Sequence, residues 1–250
     1  EYFMAINKAM KTALKALSYP DLDIKKTYKL KRQLKNAAHP YIKPLYKMWD
    51  HKIPSLDHEI PVRIFMPSGE ENAKGILIFF HGGGFVVGNI DSYSSVCANM
   101  ANQTGYLVVS VDYRLAPEYH FPAAPEDCYA VTREIFMDCT LFDIPRERIA
   151  LIGDSAGGNL AAVVSLMARD RGEFLPSKQI LLYPQTGNDH SESSPFASVN
   201  EYGTEYLLTA KRISEYMELY QNSEEDRQNP YFAPLLAEDV SNQPDTLLIT

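Results

Sequence analysis

The sequence predicts an α/β fold: a mostly parallel central sheet with helices on both faces. Three observations carry that expectation. Short apolar runs at 76–80, 106–112, 148–152, 179–183 and 246–250 alternate with segments whose apolar residues recur at helical spacing. The run Ile149 to Ile152 breaks at Gly153-Asp154-Ser155-Ala156-Gly157 and resumes as a helical pattern. The run ending in Phe80 leads directly into His81-Gly82-Gly83-Gly84-Phe85.

With 250 residues, 45% hydrophobic and 22% charged, the chain has the makings of one large α/β domain. A formal net charge of −8 argues against a nucleic-acid or anionic-membrane surface. The charge is uneven, basic from Lys8 to Lys47 and acidic from Glu201 to Asp226, as solvated helix faces of an ordinary protein are. The three cysteines, Cys97, Cys128 and Cys139, form no Cys-x-x-Cys pair, so neither a disulfide framework nor a zinc site is expected. No apolar run is long enough to span a bilayer, and the amino end lacks a signal-peptide pattern, so a cytoplasmic protein is expected. Phosphate-loop and dinucleotide glycine patterns are missing, and no metal or organic cofactor is expected. A homo-oligomer is allowed.

Taken in order, residues 3–17 and 22–37 read as two helices, with Pro20 and Pro40 as breakers. Ala5, Ile6, Met10, Ala13, Leu14 and Leu17 give the first an apolar stripe that needs a partner. The pair is either a lid over a site or a surface appendage. Between 45 and 67 the period becomes two, with Ile60, Val62, Ile64 and Met66 on one face and Arg63 and Phe65 on the other, an antiparallel edge to the sheet. The run 75–80 is a buried strand, 93–103 a modest helix, 106–112 the next strand, and 122–139 a helix whose first turn tolerates its prolines. After the strand 148–152 and the helix 159–171 comes the strand 179–183. The alternation then breaks: 187–198 is polar and loop-like, and 204–221 reads as an amphipathic helix rich in tyrosine and leucine. The run 246–250 is a last strand.

The chemistry sits at two loops. Gly153 and Gly157 flank Ser155 where a sharp strand-to-helix turn leaves no room for a Cβ, which reads as a nucleophile elbow. The helix that follows aims orphan N–H groups at negative charge forming near Ser155; the alternative is a serine that merely caps that helix. Three consecutive glycines after a buried strand let backbone N–H groups approach a ligand closely, as an oxyanion-hole loop requires; the alternative there is a loop of no chemical role.

Together with Asp112-Tyr113-Arg114-Leu115-Ala116-Pro117-Glu118 and Phe121-Pro122-Ala123-Ala124, these motifs resemble, in order and spacing, the hormone-sensitive-lipase-like branch of the α/β-hydrolase fold, bacterial family IV carboxylesterases. The resemblance implies that Ser155 is the nucleophile and that the N–H groups of Gly83, Gly84 and Ala156 hold the oxyanion. It implies that His81 and Gly82 hold the loop rather than supply the base, and that Asp112, Tyr113 and Arg114 form polar support behind it. A plain buried ion pair accounts for Arg114 equally well. It also implies an arrangement of 1–44 as cap helices and 45–250 as the hydrolase core, with a cap insertion at about 188–228.

The departure from the family is at the end of the triad. The family's order is serine, acid, histidine, with the acid just after a strand resembling Thr246-Leu-Leu-Ile-Thr250. None of His39, His51, His58, His81, His120 and His190 sits in a matching context. The expectation is therefore a chain that is truncated, cleaved or incomplete, lacking the C-terminal part of the fold with the triad acid and histidine, and inactive alone. The resemblance implies a serine esterase acting on a small, short-chain acyl ester. An amidase or deacetylase is the near alternative, and a catalytically silent small-molecule-binding protein the distant one.

Overall fold

The computed structural model describes residues 7–19, 22–38, 47–69, 72–138 and 142–250. Among these residues seven strands form one sheet in the order β1-β2-β4-β3-β5-β6-β7: β1 (Met48–Pro54), β2 (Glu59–Phe65), β3 (Ile76–Phe80), β4 (Leu107–Val111), β5 (Ile149–Asp154), β6 (Lys178–Leu182) and β7 (Asp245–Ile249). β1 pairs antiparallel with β2 and β2 with β4, so the period-two stretch is the antiparallel edge; every other pairing is parallel.

Alternation inside the apolar runs divides the core in two. Ile76, Ile78 and Phe80, with Val109, Val111, Ile149 and Leu151, share one cluster with Val131 and Ile135 of α4 (Ala123–Met137) and Leu160, Val163 and Val164 of α5 (Ala156–Arg171). Leu77, Phe79, Phe65, Val108 and Ile152 share the other with Cys97, Ala98 and Ala101 of α3 (Ile90–Thr104). A strand buried on both faces needs apolar residues at every position, which is why these runs are continuous. Ile60, Val62 and Ile64 face the first cluster, while Phe65 faces the second and the Arg63 guanidinium reaches Asp50, Asp91 and Ser94.

The helices before the sheet are α1 (Lys8–Ser18) and α2 (Ile24–Ala38). The expected amphipathic helix at 204–221 starts late, as α7 (Ala210–Tyr220) after Thr209, whose side chain accepts from Arg212 N, and a short helix not expected from the sequence, α6 (Ala197–Tyr202), precedes it and ends at Gly203. A side chain that satisfies an orphan N–H starts a new helix at its own position, so 203–209 lies outside both. α2 packs on α7 and α3. The Glu215 carboxylate of α7 accepts from Ile24 N at 2.9 Å, and the Ser18 hydroxyl accepts from Leu207 N at 2.8 Å. Cys97 and Cys128 are buried thiols; Cys139, residues 3–6, Pro20, His39 and Pro40 lie outside the described residues. Among the described residues no helix is long and apolar enough to cross a membrane, and no group of three or more ligating side chains is placed to hold a metal ion.

Ile78 is wholly buried at the centre of β3. Ile78→Ala is expected to lower stability by about 2–5 kcal/mol through lost apolar burial and the cavity left behind, read as a shift in the urea midpoint with unchanged slope.

Candidate active site

The site forms where β3 and β5 end side by side. Their parallel register sets Phe80 opposite Gly153, so the glycine loop and the serine turn leave the sheet together. Ser155 has φ 52° and ψ −113°, a conformation that costs a residue with a side chain about 1–3 kcal/mol and persists only when its surroundings hold it. Here Ser155 N donates to Leu182 O at 2.8 Å, and Ser155 O accepts from Asn159 N and Gln185 N. The turn is tight enough that a Cβ at Gly157 would stand 1.9 Å from Phe80 O, and one at Gly153 2.2 Å from Gly157 O. The serine is therefore lifted off the sheet at the start of α5, whose first-turn N–H groups, that of Ala156 included, have no acceptor within the helix.

Beside it, Gly83 and Gly84 adopt φ 131° and 61°. The Gly83 carbonyl turns inward and accepts from Val86 N and Val87 N at 3.1 and 3.0 Å. Among the described residues, neither Gly83 N–H nor Gly84 N–H has an acceptor. A Cβ on Gly84 would meet the Tyr216 ring at 2.7 Å.

The loop is held from behind. Asp154 accepts from Gly82 N at 2.8 Å through one carboxylate oxygen and from the Tyr93 hydroxyl at 3.0 Å through the other; burial raises its pKa above the ordinary carboxylate value. His81 stacks on Tyr113 with ring centroids 4.3 Å apart, and its Nδ1 lies 3.0 Å from Gly82 O. The Tyr113 hydroxyl donates to His81 O at 2.6 Å. Asp112 accepts from Ile90 N at the start of α3. Arg114 takes the other of its two expected roles, the buried ion pair, rather than loop support. Its guanidinium and its N–H both bind the buried Asp127 carboxylate, which His58 also contacts at 2.9 Å, because that carboxylate, 1% exposed, requires a charged partner.

The cleft above Ser155 has a volume of about 310 Å3 and is lined by Gly83, Gly84, Tyr183, Pro184, Gln185, His190, Leu208, Ile213 and Tyr216. A larger cavity of about 620 Å3 opens between the β1–β2 hairpin and α4 and shares none of these residues. Volume does not select the site; the strained serine and the unpaired N–H groups do.

A model of the alpha/beta hydrolase fold matches residues 77–250. The chain belongs to the α/β-hydrolase family, in its hormone-sensitive-lipase-like branch. It is 36% identical over 195 residues to an ethyl acetate hydrolase of Pseudomonas putida, and 36% identical over 208 residues to an arylesterase of Saccharolobus solfataricus. Those matches cover 77% and 83% of this chain but 60% and 66% of the curated relatives' own length. Among solved structures, a hyperthermophilic esterase from Pyrobaculum calidifontis superposes with a TM-score of 0.82 at 35% identity, over 99% of this chain and 80% of that one.

Several groups around this hydrolase-fold cleft escape sequence reasoning. Asp154 is visible inside the elbow motif, yet nothing local says that it holds Gly82. Tyr93 and Tyr216 reach the site from distant segments, and Asn159, one turn after the serine, ties the elbow outward, its amide donating to Gln185 O and Phe232 O. His190, which matches no family context, lines the cleft, and burial lowers its pKa. No histidine among the described residues hydrogen-bonds Ser155 Oγ.

Burial lowers the pKa of His81 from 6.5 to about 4. The unfolded chain binds this proton near pH 6.5 and the folded chain only near 4, so stability drops as the pH is lowered through that window, by about 3 kcal/mol in all. His81→Phe is expected to flatten that slope in urea titrations between pH 7 and 4.5. An unchanged slope would assign the acid sensitivity to another group.

Proposed function

We propose that this chain carries the nucleophile and the oxyanion-binding groups of a serine carboxylesterase that works on small acyl esters through an acyl-enzyme. The observation that carries the reading is the juxtaposition of the strained Ser155 with the acceptor-free N–H groups of Gly83 and Gly84. Ser155 attacks the ester carbonyl. The N–H groups of Gly83, Gly84 and Ala156 receive the oxyanion, a contribution of about 3–4 kcal/mol per donor in other acyl-transfer enzymes. The tetrahedral adduct collapses with cleavage of the ester C–O bond, the alcohol leaving with the proton given up by the serine hydroxyl, and water then hydrolyses the acyl-serine to release the acid and restore the Ser155 hydroxyl. The esterase names of the relatives and of the superposed structures support the same chemistry.

His81 and Tyr113 position the loop, and Asp112 anchors the segment that precedes α3. The cleft's apolar wall from Leu208, Ile213 and Tyr216 suits a short acyl or alkyl group. We assign α1 and α2, with the segment at about 188–228, to a cap over this cleft. The polar ties from Ser18 and Ile24 to the 207–215 segment support that assignment. A serine without a hydrogen-bonded base is a weak nucleophile. The 250-residue chain by itself is therefore expected to turn over slowly.

The test is a p-nitrophenyl alkylphosphonate on this chain, read by intact and peptide mass. The expected result is one phosphonyl group on Ser155, formed slowly and absent from Ser155→Ala. With p-nitrophenyl acetate, turnover should fall about a thousandfold or more below the roughly 1–10³ s−1 of ordinary enzymes. Ordinary turnover would show that a base is present after all. No label on Ser155 at any time would move the reading to a silent binding protein on the same fold, and faster release from an anilide than from its ester would make it an amidase.

A further inference from the structure

We propose that α2 braces the oxyanion-hole loop and that Arg32 is the positioning residue that does so. The inference rests on the reading of Gly83 and Gly84 as oxyanion donors. Tyr28, Arg32 and Lys35 recur at i, i+4 and i+7, so they share one face of α2. From that face Arg32 Nε donates to Val86 O at 2.5 Å, and Nη2 donates to Ala116 O at 2.6 Å. The same guanidinium binds both oxygens of Glu118, at 3.0 and 2.8 Å, and packs over the Tyr28 ring.

What these bonds fix follows from peptide planarity. The Val86 carbonyl and the Val87 N–H belong to one rigid plane, so holding the first aims the second. Val87 N–H donates to Gly83 O, and Gly83 O shares its plane with Gly84 N–H. On the other flank Ala116 N donates to Phe85 O, whose plane carries Val86 N–H, also a donor to Gly83 O. Arg32 thus holds the outer carbonyl, that of Val86, of a two-plane relay that ends at a proposed catalytic N–H, and its bond to Ala116 O ties down the residue whose N–H donates to Phe85 O. The relay needs an external hold because glycine at φ 131° and 61° does not fix its own peptide planes. Lysine cannot substitute, since one ammonium lacks the planar fork that serves two carbonyls and a carboxylate together.

The test uses Arg32→Met and Arg32→Lys in the 250-residue protein. Hydrogen exchange over 82–88 is read against β5 as the internal standard. Exchange of the loop amides is expected to rise about tenfold in Arg32→Met, with Arg32→Lys recovering less than half of that change. In the same samples, the rate at which p-nitrophenyl acetate acylates Ser155, followed by mass, is expected to fall about tenfold at saturation. The half-saturating concentration should stay within twofold. Loop exchange equal to wild type would overturn the brace, and so would an acylation loss confined to the half-saturating concentration. Where Arg32→Met does not fold, the same two readouts on Arg32→Lys decide. If wild-type Ser155 takes up no acetyl group, the esterase reading fails, and the exchange comparison still decides whether α2 holds the loop.

Discussion

Parallel pairing of β3 with β5 is the constraint on which the rest of this structure depends. Because Phe80 lies opposite Gly153, two loops far apart in sequence leave the sheet at one point, and their backbones meet there without side chains between them. The glycines on either side of Ser155 are what that approach demands. Any Cβ at Gly157 would push β3 and α5 apart, taking the serine away from the glycine loop. The continuous apolar runs of β3, β4 and β5 serve the same end, since a strand covered by helices on both faces is held in register from both sides.

The strain at Ser155 and the conformations of Gly83 and Gly84 are offset by structure around them. The helix after the serine, the Leu182 carbonyl and the Gln185 N–H hold the elbow, while the Asp154 carboxylate ties the elbow to the loop it faces. Asp154 is therefore a joint between the two halves of the site, with Tyr93 from α3 as its second contact. A partly buried carboxylate with two donors is a rigid element, because moving either loop would leave a partly desolvated carboxylate short of a partner.

Much of this was legible in the sequence, for stated reasons. Strand positions could be read because burial on two faces imposes unbroken apolar runs, and the elbow because its glycines are forced by sterics. The antiparallel edge was legible from its period. What the sequence conceals are contacts without local pattern. Arg114 sits inside a recognisable motif, yet its partner is Asp127, thirteen residues on, rather than the loop. Arg32 is one of many basic residues in a charged helix, and only its place against Val86 and Ala116 distinguishes it. The late start of α7 turns on one capping hydroxyl, that of Thr209, in an otherwise amphipathic stretch. His190 lies in a polar loop whose course over the cleft has no periodicity to read.

The chain's one tryptophan, Trp49, stands on the outermost strand, paired with Ile64 and half exposed. It lines the cavity under the hairpin rather than the cleft at Ser155. Intrinsic tryptophan emission is therefore a gauge of the antiparallel margin of the sheet. Events at the elbow are dark in that channel and call for a dye or an isotope placed on the cleft side.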